Sequence, residues 1–353
     1  MEISSIKQNM DKLLNIDFMS SLFNERLGEF YQNFKEVVSI KFHTYKKHTG
    51  KASMIIVVEY VISYTSISGI TEKINIFASA HSDGSRARAF YGQNYLYQNG
   101  FGQGSFLVGR PLFYLEEQYA FFYKAVLGRT LRKLITKEAD LDFTKVLSLS
   151  AHWIKKLHSC SLVADDKFRL FNVREMSPQP QKFLDDLEGA FPEYGRNLRG
   201  IYQRLCDLQE KNKALYQPTL VHGDYHPENI IFKSTEPDKI KVIDFTDLAI
   251  GDPMVDLGSF IQQFDFMCFS FLDRQKINQY KVLFVEKYFD EKFENIGIKY
   301  LSRINFFQAW VVMRTTLLLF YAKSANHPLG GLIAEIDHYL QLAENGDRKI
   351  NLY

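Results

Sequence analysis

The 353-residue chain carries 43 Lys and Arg against 41 Asp and Glu, a formal net charge of +2. It lacks the cationic surplus that a general nucleic-acid binder needs against phosphates, and its 46% hydrophobic and 24% charged content argues against disorder. Three widely spaced cysteines, Cys160, Cys206 and Cys268, with no CxxC or Cys/His cluster, argue against a disulfide framework and a structural zinc site and predict a reducing compartment. In chain order, the spaced apolar residues Met10, Leu13, Leu14, Phe18 and Leu22 predict an amphipathic helical region over 8–34. The β-rich runs 37–45 and 54–64 flank the polar turn KKHTGKAS and predict a hairpin, and 73–80 adds a third strand. Residues 86–99 read as a helix closed by Gly100, and the runs 106–115 and 119–127 bring the total to about five strands. After Gly128 the pattern changes. Leu147, Ala151, Ile154 and Leu157 share one helical face, 178–209 holds another long helical region, and helices dominate again from 257 to 345.

The pattern predicts an α+β chain with a small β-rich N-terminal lobe, residues 1–125, and a larger helical C-terminal lobe, residues 126–353. The start, MEISSIKQNMDKLL, has no apolar stretch of the secretory kind. The apolar run 306–322 is broken by Gln308 and Arg314 and is short for a bilayer. A cytoplasmic protein with no membrane partner is expected.

Chemistry is concentrated in LVHGDYHPENIIF (220–232) and KVIDFTDLAIGDPMVDLG (241–258). The apolar pieces Ile230-Ile231-Phe232 and Val242-Ile243 read as a ribbon that carries polar groups at its ends: Asp224, Asn229 five residues on, and Asp244 fifteen further. Phosphoryl transfer needs such a set. Mg²⁺ prefers oxygen ligands, which one carboxylate and one amide can supply, and a second carboxylate can orient the attacking hydroxyl and accept its proton. The run His222-Gly223-Asp224-x-x-x-x-Asn229 followed by Asp244-Phe245-Thr246 has the spacing of a kinase catalytic loop and its metal-binding Asp. His226, inside the loop, reads as pointing to solvent, with substrate as the alternative.

These two segments resemble the signature of the aminoglycoside phosphotransferase and choline kinase superfamily of small-molecule kinases. SDGSRARAF (82–90), GRPLFYL (109–115), VLGRTLRKLI (126–135) and LSAHWIKKLHS (149–159) follow in the order that family shows. The resemblance implies a bilobal protein-kinase-like fold, with the nucleotide between the lobes. It implies ATP or another nucleoside triphosphate with Mg²⁺ as cofactors, and a hydroxyl-bearing small molecule as acceptor. By it, Asp224 is the catalytic base, Asn229 and Asp244 are the nucleotide-side Mg²⁺ ligands, His222 braces the loop, and Asp252 and Asp256 pin it from below.

One departure stands out. Kinases of this fold carry a third-strand Lys paired with a helix Glu. Alignment on Asp83-Gly84 puts Ala78 at the Lys position, and alignment on 95–101 puts Gly92 at the Glu position. Two readings stay open: an active kinase in which Lys73, Arg86, Arg88, Lys46, Lys47 or Lys51 supplies the missing cation, or a pseudokinase that serves as a nucleotide-binding or regulatory module.

Overall fold

A computed structural model of the chain describes residues 3–50, 53–161, 168–175, 179–322 and 328–351. The chain divides into two compact units. The first comprises Met1–Gly128 and Lys241–Thr246, the second Arg129–Ile240 and Asp247–Tyr353.

In the first unit, α1 (Ile3–Asp11) and α2 (Ile16–Arg26) precede the strands β1 (Phe34–Thr49), β2 (Met54–Ser66) and β3 (Thr71–His81). Helix α3 (Ser85–Leu96) follows, then β4 (Phe106–Val108), β5 (Pro111–Leu115) and β6 (Ala120–Lys124). The helical region expected over 8–34 is two helices, because Asn15 is extended and its side chain accepts the Phe18 N–H at 2.8 Å, restarting the helix. Five strands form an antiparallel sheet in the order β1-β2-β3-β6-β5.

Strand β2 alternates strictly, with Met54, Ile56, Val58, Tyr60, Ile62 and Tyr64 buried on one face. That face, with Ile76, Ala78 and Ala80 of β3, packs on Met10, Leu13, Met19, Phe23 and Leu27. Burial of each large aliphatic side chain contributes about 1.5–3 kcal/mol. Tyr60 sits in this core because its hydroxyl donates to the Leu13 carbonyl at 2.5 Å.

The opposite face of β3 is the one that α3 covers. Phe77 stacks on its cross-strand partner Tyr123 at 5.7 Å, and Phe121, the partner of Ser79, meets Phe90 of α3 at 5.5 Å. This corrects the sequence alignment by one residue. Ala78 points into the α1/α2 core, and Ser79 is the residue that faces α3, because successive side chains alternate across a sheet.

The second unit begins with β7 (Arg129–Thr130), α4 (Leu131–Lys137) and α5 (Thr144–His158), then β8 (Arg169–Leu170), α6 (Pro180–Ala190) and α7 (Pro192–Asn212). Strands β9 (Thr219–Val221), β10 (Ile230–Phe232) and β12 (Ala249–Gly251) are short, as is β11 (Ile240–Val242), whose residues from Lys241 on belong to the first unit. Helices α8 (Met254–Cys268), α9 (Arg274–Phe289), α10 (Ile298–Tyr321) and α11 (Leu329–Asn345) close the chain. A small sheet runs in the order β8-β12-β9.

Gly258 lets α8 approach α10 closely, since a Cβ there would lie 2.6 Å from the Phe307 Cβ. Buried polar residues of α10 find partners outside the helix. Arg303 forks onto Asp252 at 2.7 and 3.2 Å, and Asn305 donates to the Lys349 carbonyl at 2.7 Å. Among the described residues no helix is long and apolar enough to cross a membrane.

Candidate active site

In the second unit, β9 delivers the chain into His222-Gly223-Asp224, and β12 lies beside β9 with Ala249 opposite Val221. Asp256, fully buried in the first turn of α8, fastens this turn. Its Oδ2 accepts the His222 N–H at 2.7 Å and its Oδ1 the Gly223 N–H at 2.8 Å. His158 Nε2 lies 3.0 Å from the same carboxylate, and Tyr288 contacts His158 Nδ1 at 2.8 Å. Gly223 has φ +79°, and a Cβ would lie 2.4 Å from the Asp247 carbonyl oxygen, so the turn requires glycine on two counts. His222 is buried against Trp153 and Tyr225, and its Nδ1 accepts the Asp224 N–H at 3.4 Å. This contact ties the ring to the loop backbone.

Asp224 is held on both carboxylate oxygens. Its Oδ2 lies 3.3 Å from His226 Nε2 and its Oδ1 3.5 Å from Arg314 Nη1. The His226 Nδ1 accepts the Glu228 N–H at 3.2 Å, which puts the proton of the neutral ring on Nε2, aimed at Asp224. Burial works to raise the Asp224 carboxyl, but the His226 contact, the Arg314 guanidinium and His222 outweigh it and hold the group well below the usual carboxylate range. Arg314 lies over the Trp310 ring at 4.8 Å and also reaches the Gly223 carbonyl at 3.4 Å and Asp247 Oδ2 at 3.6 Å. Asp247 in turn accepts from Arg169 at 2.6 Å.

Asn229 closes the loop. Its Nδ2 donates to the Asp224 carbonyl at 2.9 Å and lies 3.2 Å from His226 Nε2. With the amide nitrogen committed, Oδ1 is the end left for a ligand.

Asp244 belongs to the first unit. It holds a left-handed backbone, φ +63°, which Asp tolerates better than most side chains. Its Oδ1 accepts the Thr246 hydroxyl at 2.6 Å and lies 3.4 Å from Arg86 Nη1, which also donates to Thr246 Oγ1. Burial pushes the Tyr123 phenol up, and the Asp244 carboxylate nearby adds to the rise.

The structure thus brings His222, Asp224 and Asn229 together in one unit and holds Asp244 on a constrained turn in the other. His226 is corrected: it contacts Asp224 and is largely buried instead of facing solvent. Asp256 fastens the loop as expected, whereas Asp252 binds Arg303 and the Met254 N–H. The sequence missed Arg314, which lies 90 residues from Asp224 with no motif around it. The missing kinase ion pair stays missing after the one-residue correction. Ser79 is no cation, Gly92 and Gln93 lie on the buried face of α3, and α3 contains no acidic residue. Lys51 lies outside the described residues.

Among the described residues no group of three or more His, Cys, Asp or Glu side chains is arranged to hold a metal. Mg²⁺ does not need such a cage, since it binds through one or two carboxylates plus phosphate oxygens and water. The Asn229 Oδ1 and the Asp244 carboxylate are hard oxygen donors of the right kind.

The comparisons with known proteins give the family and the fold. Residues 79–281 match the APH family model, described as the phosphotransferase enzyme family. The fold is similar to that of an ethanolamine kinase from Plasmodium vivax, at 13% identity and a TM-score of 0.53, over 92% of this chain and 87% of that one. It is also similar to aminoglycoside phosphotransferase APH(2″)-Ib bound to ADP, at 15% identity and a TM-score of 0.51, over 98% and 99% of the two chains. An amicoumacin kinase in complex with AMP-PNP, Ca²⁺ and Ami matches at 15% identity and a TM-score of 0.52, over 86% and 88%. Among curated proteins, the mouse acyl-CoA dehydrogenase family member 10 is 28% identical over 105 residues, 29% of this chain. The matched stretch spans only 10% of that protein's length. The family match covers more than half of the chain, from Ser79 near the end of β3 through the catalytic-type loop and Asp244, and the chain belongs to the phosphotransferase enzyme family.

Proposed function

We propose that this chain is an ATP- and Mg²⁺-dependent phosphotransferase that phosphorylates a hydroxyl group of a small molecule, with Asp224 as the catalytic base. ATP is the expected donor, another nucleoside triphosphate the alternative. One observation carries the proposal: Asp224 is an oriented, ionised carboxylate on a turn that the buried Asp256 fastens, with Asn229 locked beside it. The ADP-bound and AMP-PNP-bound structures that share this fold support nucleotide use.

In the transfer, the acceptor oxygen bonds to the terminal phosphorus, the bond from that phosphorus to the nucleoside diphosphate breaks, and the hydroxyl proton goes to Asp224. The His226 and Arg314 contacts make Asp224 a weak base. In a loose transition state the proton leaves late, so orienting the hydroxyl matters more than proton affinity. Asn229 and Asp244 would hold Mg²⁺, which when bound neutralises phosphate charge. Around Asp224, the cations Arg314 and Arg169 balance the carboxylates Asp224 and Asp247, so this wall lacks the acidic excess that suits a polycationic acceptor. A neutral or anionic hydroxyl compound fits it better.

A second reading, a nucleotide-binding pseudokinase, is favoured by the absence of a lysine at Ser79 and of any acid on α3. The test is ADP release from ATP and Mg²⁺ over a panel of hydroxyl compounds of different charge. Turnover by the parent is expected, with a fall of about 100-fold or more in Asp224→Asn while nucleotide binding persists. Equal turnover by Asp224→Asn overturns the base assignment. Nucleotide binding that raises the melting temperature without transfer to any acceptor favours the pseudokinase.

A further inference from the structure

The phosphotransferase proposal leaves the nucleotide phosphates without their usual strand cation. We propose that Arg86 takes that role, as the residue that receives the phosphates from the first turn of α3; the inference rests on the nucleotide-dependent function above.

The other cations suggested by the sequence that lie among the described residues are set aside one by one. Lys73 shares the Ser79 face but lies six residues away along β3, about 20 Å at strand rise. Lys47 is engaged with Asp11 at 2.8 Å, and Lys46 and Arg88 are exposed. Arg86 differs from all of these. Its side chain is only 15% exposed, it borders Asp244, and it is anchored to Thr246 two residues further along.

Two features show that this guanidinium has capacity to spare. A strong charge-assisted N–H···O bond is about 2.7–2.9 Å, and the Asp244 contact is 3.4 Å. The Arg86 Nε is buried and makes no hydrogen bond among the described residues. Buried donors are nearly always paired, so an orphan on a cation marks a group that a ligand satisfies once the side chain adjusts. Any anion brought near Asp244 needs a compensating positive charge, and Arg86 supplies it from within the same unit. A guanidinium suits phosphate because its planar fork can give two parallel N–H···O bonds. Relocation from strand to helix also explains why Ser79 is tolerated at the strand position and why α3 carries no glutamate, since there is no strand lysine for it to hold.

The experiment is calorimetric titration of the full chain with adenosine, ADP and ATP in the presence of Mg²⁺. Three proteins are compared: the parent, Arg86→Gln, and Arg86→Gln combined with Ser79→Lys. Arg86→Gln keeps a donor for Thr246 but removes the charge. It is expected to lower ATP affinity about 10- to 100-fold and leave adenosine affinity unchanged. Ser79→Lys is expected to restore most of the ATP affinity, because it returns a cation to the strand. Unchanged ATP affinity in Arg86→Gln overturns the assignment, and so does an equal loss for adenosine, which would mean damage to the fold. If the parent itself binds no nucleotide, the phosphotransferase proposal falls and Arg86 with it. If the parent binds ATP and the variant binds it equally, only the Arg86 assignment falls.

Discussion

The catalytic-type turn hangs on one buried carboxylate, and removing it should be costly. Asp256 accepts two backbone N–H groups at 2.7 and 2.8 Å and contacts His158 at 3.0 Å, with no exposure of its own side chain. Truncation by Asp256→Ala strands the His222 and Gly223 amides in the interior. Each unpaired buried donor costs about 1–3 kcal/mol, so the pair costs about 4 kcal/mol once partial relaxation is allowed. Asp256→Asn keeps one acceptor oxygen but turns an amide NH₂ toward the second donor, for about half that loss. A 4 kcal/mol change is close to a thousandfold in the opening equilibrium of the turn. Amide hydrogen exchange at residues 222 and 223, together with denaturant unfolding, reads both numbers. The expected order of stability is parent, then Asp256→Asn, then Asp256→Ala, with turnover falling in the same order because Asp224 loses its orientation. Unchanged exchange protection in Asp256→Ala, with unfolding within about 0.5 kcal/mol of the parent, would refute the reasoning.

Four further outcomes are expected. Gly223→Ala should destabilise by about 3 kcal/mol in denaturant unfolding, since it combines a left-handed φ with a Cβ 2.4 Å from a backbone oxygen that cannot easily move; a loss below about 1 kcal/mol would contradict the clash. The Asp224 carboxyl is depressed in the folded protein, so its ionised form stabilises the fold at neutral pH, and that contribution disappears only as pH falls through its lowered value. The kcat/KM profile of the parent should therefore show no acid limb from this group between about pH 5 and 8. Arg314→Gln should raise the Asp224 pKa and shift the onset of the acid limb upward, and an unmoved limb would remove Arg314 as its partner. Burial pushes the Cys268 thiol up to about 12. Iodoacetamide at pH 8 should leave Cys268 unmodified in the folded protein, as peptide mass analysis would show.

Much of the protein was legible in order along the chain. The β-branched and aromatic run 54–64 announced a strand, and the spacing of His222, Asp224, Asn229 and Asp244 pointed to phosphoryl-transfer chemistry, because both signals lie within short stretches of sequence. What the chain alone left undecided were relations across space. Phe77, Ala78, Ser79 and Ala80 are all at least half-buried, so composition could not say which face of β3 meets α3; only the packing of Ala78 on α1 and α2 turned Ser79 the other way. Arg314 and Asp224 are brought together by α10, and Arg86 meets Asp244 across 158 residues of chain. Ionic contacts carry no periodicity and need no fixed spacing, so a solitary arginine looks the same in the sequence whether it faces water or a carboxylate. The tertiary structure alone makes that distinction.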